Sequence, residues 1–113
     1  MRDAKGSNFK DDKKAGMLTE LAAQYIALEA GRNTLITPLR THVSSDGKHA
    51  IIYVSVYPTD QGPHAITFLM RHKDLFRNFL KSRSRFPVLP YIVFEIDHGE
   101  LNRQRLDEIS RDM

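Results

Sequence analysis

HAITFLMRHKDLFRNFLKSRSRFPVLPYIVFEID, residues His64 to Asp97, changes its hydrophobic period partway along. Leu69, Phe76 and Leu80 recur at helical spacing with Phe79 beside them, which predicts one amphipathic helix over His64–Leu80. Its other side carries Arg71, Lys73, Arg77 and Lys81, and Ser82-Arg83-Ser84-Arg85 leads off its end. Pro87 and Pro90 bar further helix. From Tyr91 to Ile96 the pattern alternates as a strand, with Ile92, Phe94 and Ile96 on one face and Tyr91, Val93 and Glu95 on the other. Between positions 71 and 85 six Lys/Arg face a single acid, Asp74, so the outer side of this helix is a seat for phosphates. Any soluble helix needs a charged outer face, so this run by itself does not choose a function.

Working back towards the N-terminus, the loop Pro58–Pro63 enters the helix. His49–Tyr57 reads as a strand rich in β-branched and aromatic residues. Ala50, Ile52, Val54 and Val56 point towards the helices, and Ile51, Tyr53, Ser55 and Tyr57 point away. Ser44–Lys48 is a turn, with Asp46-Gly47 as the hairpin signal. Thr34–Val43 is a first strand in which Leu35, Leu39 and Val43 share a parity with Thr37 and Thr41. Pro38 lacks an amide donor and calls for an edge position or a bulge. Ala15–Ala30 forms the first helix through Leu18, Leu21, Ala22, Tyr25 and Ile26, and Gly31 follows as its stop.

The order helix, strand, strand, helix, strand implies an α+β domain. Its three-stranded sheet is covered by helices on one face and open on the other, with the third strand parallel to the second. Residues 15–98 make up this domain. Met1–Lys14 has no apolar period and reads as a flexible basic tail, with five Lys/Arg against three Asp. Residues 99–113 read as a C-terminal extension, partly helical through Leu101, Leu106 and Ile109. The inward set is expected to be Leu21, Tyr25, Ile52, Val54, Leu69, Phe76, Leu80, Ile92 and Phe94.

The chain has 113 residues, enough for one domain with one core, and a formal charge of +3. With no cysteine, disulfides and thiolate metal sites are excluded. No apolar run approaches the ~20 residues a membrane helix needs, and the N-terminus has no signal-peptide apolar region. A soluble, cytoplasmic, monomeric protein without cofactor is expected. His42 and His49 approach across the hairpin, but no third ligand completes a metal site. Asp97, His98 and Glu100 cluster at a strand end without a nucleophile or an oxyanion motif, so no catalytic residue is assigned. Neither GxGxxG nor GxxxxGK[ST] occurs. Tyr53, Tyr57 and Tyr91 share the open sheet face, where aromatics stack bases in some RNA-binding folds.

Ser44-Ser45-Asp46-Gly47-Lys48-His49-Ala50-Ile51-Ile52-Tyr53-Val54-Ser55-Val56 resembles the hairpin signature of the ribosome-binding factor A family, roughly S-x-D-x-x-x-A-x-V-Y-V-S-V. Leu69, Phe76, Arg77 and Leu80 fit that family's second long helix, and Pro90, Phe94 and Asp97 fit its last strand, P-x-x-x-F-x-x-D. Arg105-Leu106-Asp107-Glu108-Ile109 resembles its closing R-I-D-x-L segment. The resemblance spans about positions 15 to 110. It implies a KH-like domain of the second topological type and a non-catalytic assembly factor. Such a factor binds the 30S small ribosomal subunit or its precursor and assists 16S rRNA maturation, including the 5′ end. One departure stands out. His72-Lys73-Asp74 replaces the family's Ala-x-Gly at the helix bend, and without that glycine a straighter helix is expected. The GxxG loop of ordinary KH domains is absent too, which favours contact with folded rRNA through backbone phosphates.

On this reading the RNA-binding residues are Arg71, Lys73, Arg77, Lys81, Arg83 and Arg85, with Tyr53 and Tyr91 secondary. The competing readings are a small RNA-acting enzyme using Asp97, His98 and Glu100, and a protein–protein adaptor using the open sheet face.

Overall fold

The computed structural model describes the backbone of residues 2–31 and 33–97, and side chains from residue 13 onward except at 32. The expected C-terminal helix, His98 and Glu100 lie outside the described residues. Helix α1 (Arg2–Glu29) is followed by strands β1 (Leu35–Val43) and β2 (His49–Tyr57), a 3-10 turn at Thr59–Gln61, helices α2 (Gly62–Arg71) and α3 (Lys73–Arg83), and strand β3 (Tyr91–Ile96).

The sheet order is β1-β2-β3, with β1 antiparallel and β3 parallel to β2, as the element order requires. Leu18, Leu21, Ala22, Tyr25 and Ile26 of α1 are buried with Ala65 and Leu69 of α2 and Phe76 and Leu80 of α3. They pack on Ala50, Ile52 and Val54 of β2 and on Ile92 and Phe94 of β3. Every residue of the expected inward set is buried. On the opposite sheet face Ile51, Tyr53, Val93 and Glu95 are half-buried or exposed.

Two glycines answer to specific needs. Gly47 adopts φ 74° in the hairpin turn, a left-handed conformation that costs a side-chain-bearing residue about 1–2 kcal/mol. A Cβ on Gly62 would lie 2.7 Å from Ile96 Cδ1, so only glycine lets α2 begin this close to the end of β3 without displacing that side chain.

Three expectations need correction. The first helix begins at Arg2 rather than Ala15. Apolar period reports docking, not helix. Extending a helix that is already nucleated gains one hydrogen bond per residue, and Ala4, Lys5, Lys10, Lys13 and Lys14 are good helix formers with no proline among them.

The parity of β1 also fails. Ile36 and Val43 are buried, whereas Leu35 and Leu39 are 64% and 48% exposed. The register slips between Pro38, which faces Val54, and Arg40, which faces Tyr53. Leu39 is therefore the extra residue of a β-bulge on an edge strand, and the inward parity changes from even to odd across it. Pro38 did mark both the edge and the bulge.

Finally, the helix expected to run unbroken over His64–Leu80 divides at His72. There φ is −90° and ψ 7°, the sparsely allowed bridge region. The His72 amide donates to the carbonyls of both Phe68 and Leu69, 3.1 Å each. Tyr25 is buried, so its hydroxyl needs a partner, and His72 Nδ1 provides one at 2.8 Å. The Phe68 ring lies 4.3 Å from the imidazole, centroid to centroid. These contacts outweigh a local preference worth only about 0.5 kcal/mol per residue. Asp74 then sits in the first turn of α3, where its charge suits the helix dipole.

Candidate nucleic-acid interface

The six cations singled out from the sequence all lie on or beside α2 and α3, but the fold treats them differently. Arg71 is exposed in the last turn of α2. Lys73, at the start of α3, is half-buried. Its Nζ donates to the Tyr91 hydroxyl at 2.8 Å and stands 4.2 Å from that ring's centroid. One turn on, Arg77 is half-buried and donates from Nη1 to the Pro90 carbonyl at 2.7 Å. Lys81, Arg83 and Arg85 are exposed, and the Arg83 guanidinium lies 4.7 Å from the Phe79 ring centroid.

Lys73 and Arg77 open onto one depression, which they line with Lys48, Asp74, Leu89, Tyr91 and Ile92. Lys48 was not among the expected residues. The Tyr91 amide donates to the Lys48 carbonyl at 2.8 Å, and His49 pairs with Tyr91 in the parallel ladder. The sequence does contain the signal: if β2 and β3 run parallel, the turn before β2 lies beside the start of β3. None of Lys48, Lys73, Arg77, Lys81, Arg83 and Arg85 forms an ion pair with a carboxylate among the described residues. Three cations against the single Asp74, over a floor of Leu89 and Ile92, suit a phosphate beside an apolar ring.

The hairpin turn that presents Lys48 is held tightly. Ser44 Oγ donates to Asp46 Oδ1 at 2.6 Å, and the Lys48 amide donates to the same oxygen at 2.9 Å. These two bonds, first Ser44 and then Lys48, hold the Asp46 carboxyl below its ordinary range.

The tyrosines share the open face by parity but make no continuous stacking row. Tyr91 is engaged by Lys73, and Tyr53 is covered by the Arg40 guanidinium, 4.0 Å from its centroid. Tyr57, 72% exposed, stands at the end of β2 opposite Leu35. His49 meets the Tyr91 ring edge-on at 6.2 Å. Among the described residues no three His, Asp or Glu side chains converge as metal ligands. Of the acid–base cluster only Asp97 is described. Its carboxylate lies 3.6 Å from Arg40 Nε, and its amide donates to the Val54 carbonyl at 2.9 Å.

No family model matches the chain, and no curated protein sequence does. Solved structures do. The crystal structure of ribosome-binding factor A from Thermus thermophilus is 27% identical, with a TM-score of 0.66 over 76% of this chain and 94% of that one. In fold, the chain is similar to the ribosome-binding factor A proteins. The solution structure of a Thermotoga maritima protein, described as a candidate ribosome-binding factor A, is 28% identical, with a TM-score of 0.64 over 78% of this chain and 87% of that one. A third likeness, in fold, is to the Thermus thermophilus ribosome-binding factor A model fitted into a cryo-electron microscopy map of a 30S complex. It is 24% identical, with a TM-score of 0.63 over 72% of this chain and 88% of that one. The ribosome-binding factor A fold therefore accommodates His72 at the helix break of this chain, and the straighter helix expected there does not form. Among the described residues, no helix is long and apolar enough to cross a membrane.

Proposed function

We propose that this protein is a non-catalytic ribosome assembly factor. It binds the 30S subunit or its precursor through rRNA backbone phosphates and assists 16S rRNA maturation, including processing of the 5′ end. The observation that carries the reading is a depression lined by Lys48, Lys73 and Arg77, with Lys81, Arg83 and Arg85 exposed along and beyond the end of α3 and none of the six in a carboxylate ion pair among the described residues, on a fold similar to that of ribosome-binding factor A. Arginine clasps a phosphate with two parallel N–H donors and lysine acts as a point charge, so the mixture fixes position without reading base sequence. Lys73 and Arg77 enter the contact already oriented, while Lys81, Arg83 and Arg85 add exposed charge along the same run.

Co-sedimentation with separated ribosomal subunits at two salt concentrations tests the proposal. Small-subunit binding is expected to weaken steeply with salt. Lys81→Glu combined with Arg85→Glu is expected to flatten the slope of log K against log salt by roughly 1.4–1.8, at about 0.7–0.9 per phosphate contact. Equal binding by both proteins at both salts would sink the phosphate mechanism. It would move the contact to the open sheet face, where Leu35 and Tyr57 are exposed.

A further inference from the structure

The helix break carries a second assignment. His72 has no side-chain hydrogen bond to the α3 backbone, so it does not cap the helix in the usual way. Its ring is instead held from outside α3, with Nδ1 2.8 Å from the Tyr25 hydroxyl on α1 and one face against Phe68 on α2. Tyr25 is itself fixed, with ring centroids 5.5 Å from Phe76 and 5.3 Å from Phe79, both on α3. Burial, with Glu29 in second place, raises the Tyr25 hydroxyl above its ordinary pKa, so at neutral pH it keeps the proton that it shares with the imidazole. The residue immediately after the break is Lys73, whose ammonium reaches the Tyr91 hydroxyl across the edge of the sheet. The direction in which α3 leaves His72 therefore decides whether Lys73 stands over Tyr91.

The structure assigns Tyr25 and His72 as positioning residues. Their hydrogen bond holds the α2–α3 break at a residue that is not glycine and thereby aims Lys73 at the Tyr91 edge of the basic depression. Neither side chain lines that depression. The hinge part of this assignment stands on geometry alone, and its effect on binding rests on the proposed function.

Tyr25→Phe removes one oxygen and keeps the ring against Phe76 and Phe79, and His72→Phe removes the ring nitrogen that meets it and keeps a ring against Phe68. In nuclear magnetic resonance spectra of the full chain, each variant is expected to lose the contact between the Lys73 side chain and the Tyr91 ring. Each is also expected to speed exchange of the His72 and Phe76 amides, whose hydrogen bonds flank the break, by about 2- to 12-fold, the equivalent of one ordinary hydrogen bond, while Ile52 and Leu80 methyl signals stay in place. If either variant folds and keeps both the contact and the exchange rates, the assignment is overturned. Binding supplies a readout that plain destabilisation does not move. Lys73→Ala is expected to weaken small-subunit binding in the wild-type background and to change nothing further in the Tyr25→Phe background. Additive losses would mean that Tyr25 does not act through Lys73. If the wild-type chain binds no subunit at all, the proposed function fails, and the spectra still decide the hinge.

Discussion

The two ends of α3 carry similar cations and use them in opposite ways. At the start, Lys73 and Arg77 are half-buried and bonded to Tyr91 and to the Pro90 carbonyl, which joins the helix layer to the entry of β3. At the end, Lys81 and Arg83 are exposed, and Arg85 continues the run. Charge alone does not distinguish these groups. The difference is what lies opposite: Lys73 and Arg77 meet Tyr91 and the Pro90 carbonyl at the entry of β3, while Lys81 and Arg83 point away from the face that buries Leu80. A cation whose direction is set by the fold contributes to stability as well as charge, and an exposed one such as Lys81 contributes charge only.

The largest effect sets the scale for both ends. Phe76 is fully buried between Tyr25 and Phe94. Phe76→Ala is expected to lower unfolding stability by about 3–5 kcal/mol in urea titrations, loosening the two ends alike. A cost under ~1 kcal/mol would mean that the helix is not anchored through this face.

Next comes the contrast itself. Arg77→Ala removes a charged, part-buried bond to a carbonyl and is expected to cost about 1–2 kcal/mol after allowance for its partial exposure. Lys81→Ala should stay within about 0.5 kcal/mol. Equal costs, measured by chemical denaturation of both variants, would break the distinction between tethered and free cations.

The smallest effect is a pH dependence at the tethered end. The Tyr25 phenol is raised above its ordinary value of about 10 by burial and, secondarily, by Glu29. Below that ordinary value the group is protonated in both folded and unfolded chains, and its contribution to stability is complete. As pH rises from there through the raised folded value, the unfolded chain loses the proton first and the folded state loses stability. Urea midpoints at pH 9 and pH 11 should therefore fall more for the wild type than for Tyr25→Phe. Identical falls would remove the ionisable hydroxyl from the hinge.

Much of the fold could be read from the residue pattern because burial imposes a period. β2 and β3 alternate cleanly, and Ala50, Ile52, Val54, Ile92 and Phe94 are the inward residues the alternation names. Asp46-Gly47 marks the turn, and Gly47 takes the left-handed conformation that a hairpin asks for. Where one residue is added, the same logic misleads: the bulge at Leu39 reverses the parity of β1, and no single-strand pattern reveals which residue is the extra one. The basic run from Arg71 to Arg85 was legible as composition, but the separate roles of its members were not, because Pro90, Tyr91 and Lys48 are distant in sequence from the residues they meet.

By itself, then, the sequence determined the succession of helical and strand segments, the inward faces of β2 and β3, the parallel third strand and the presence of a basic helical segment. Each follows from local periodicity, turn chemistry or charge, which are properties of neighbouring residues. Only the tertiary structure decided where the second helix breaks, how far the first one extends and which cations are held. His72 meets the Tyr25 hydroxyl across 47 positions of chain and Lys73 meets that of Tyr91 across 18, and such contacts outweigh local preferences of about 0.5 kcal/mol per residue.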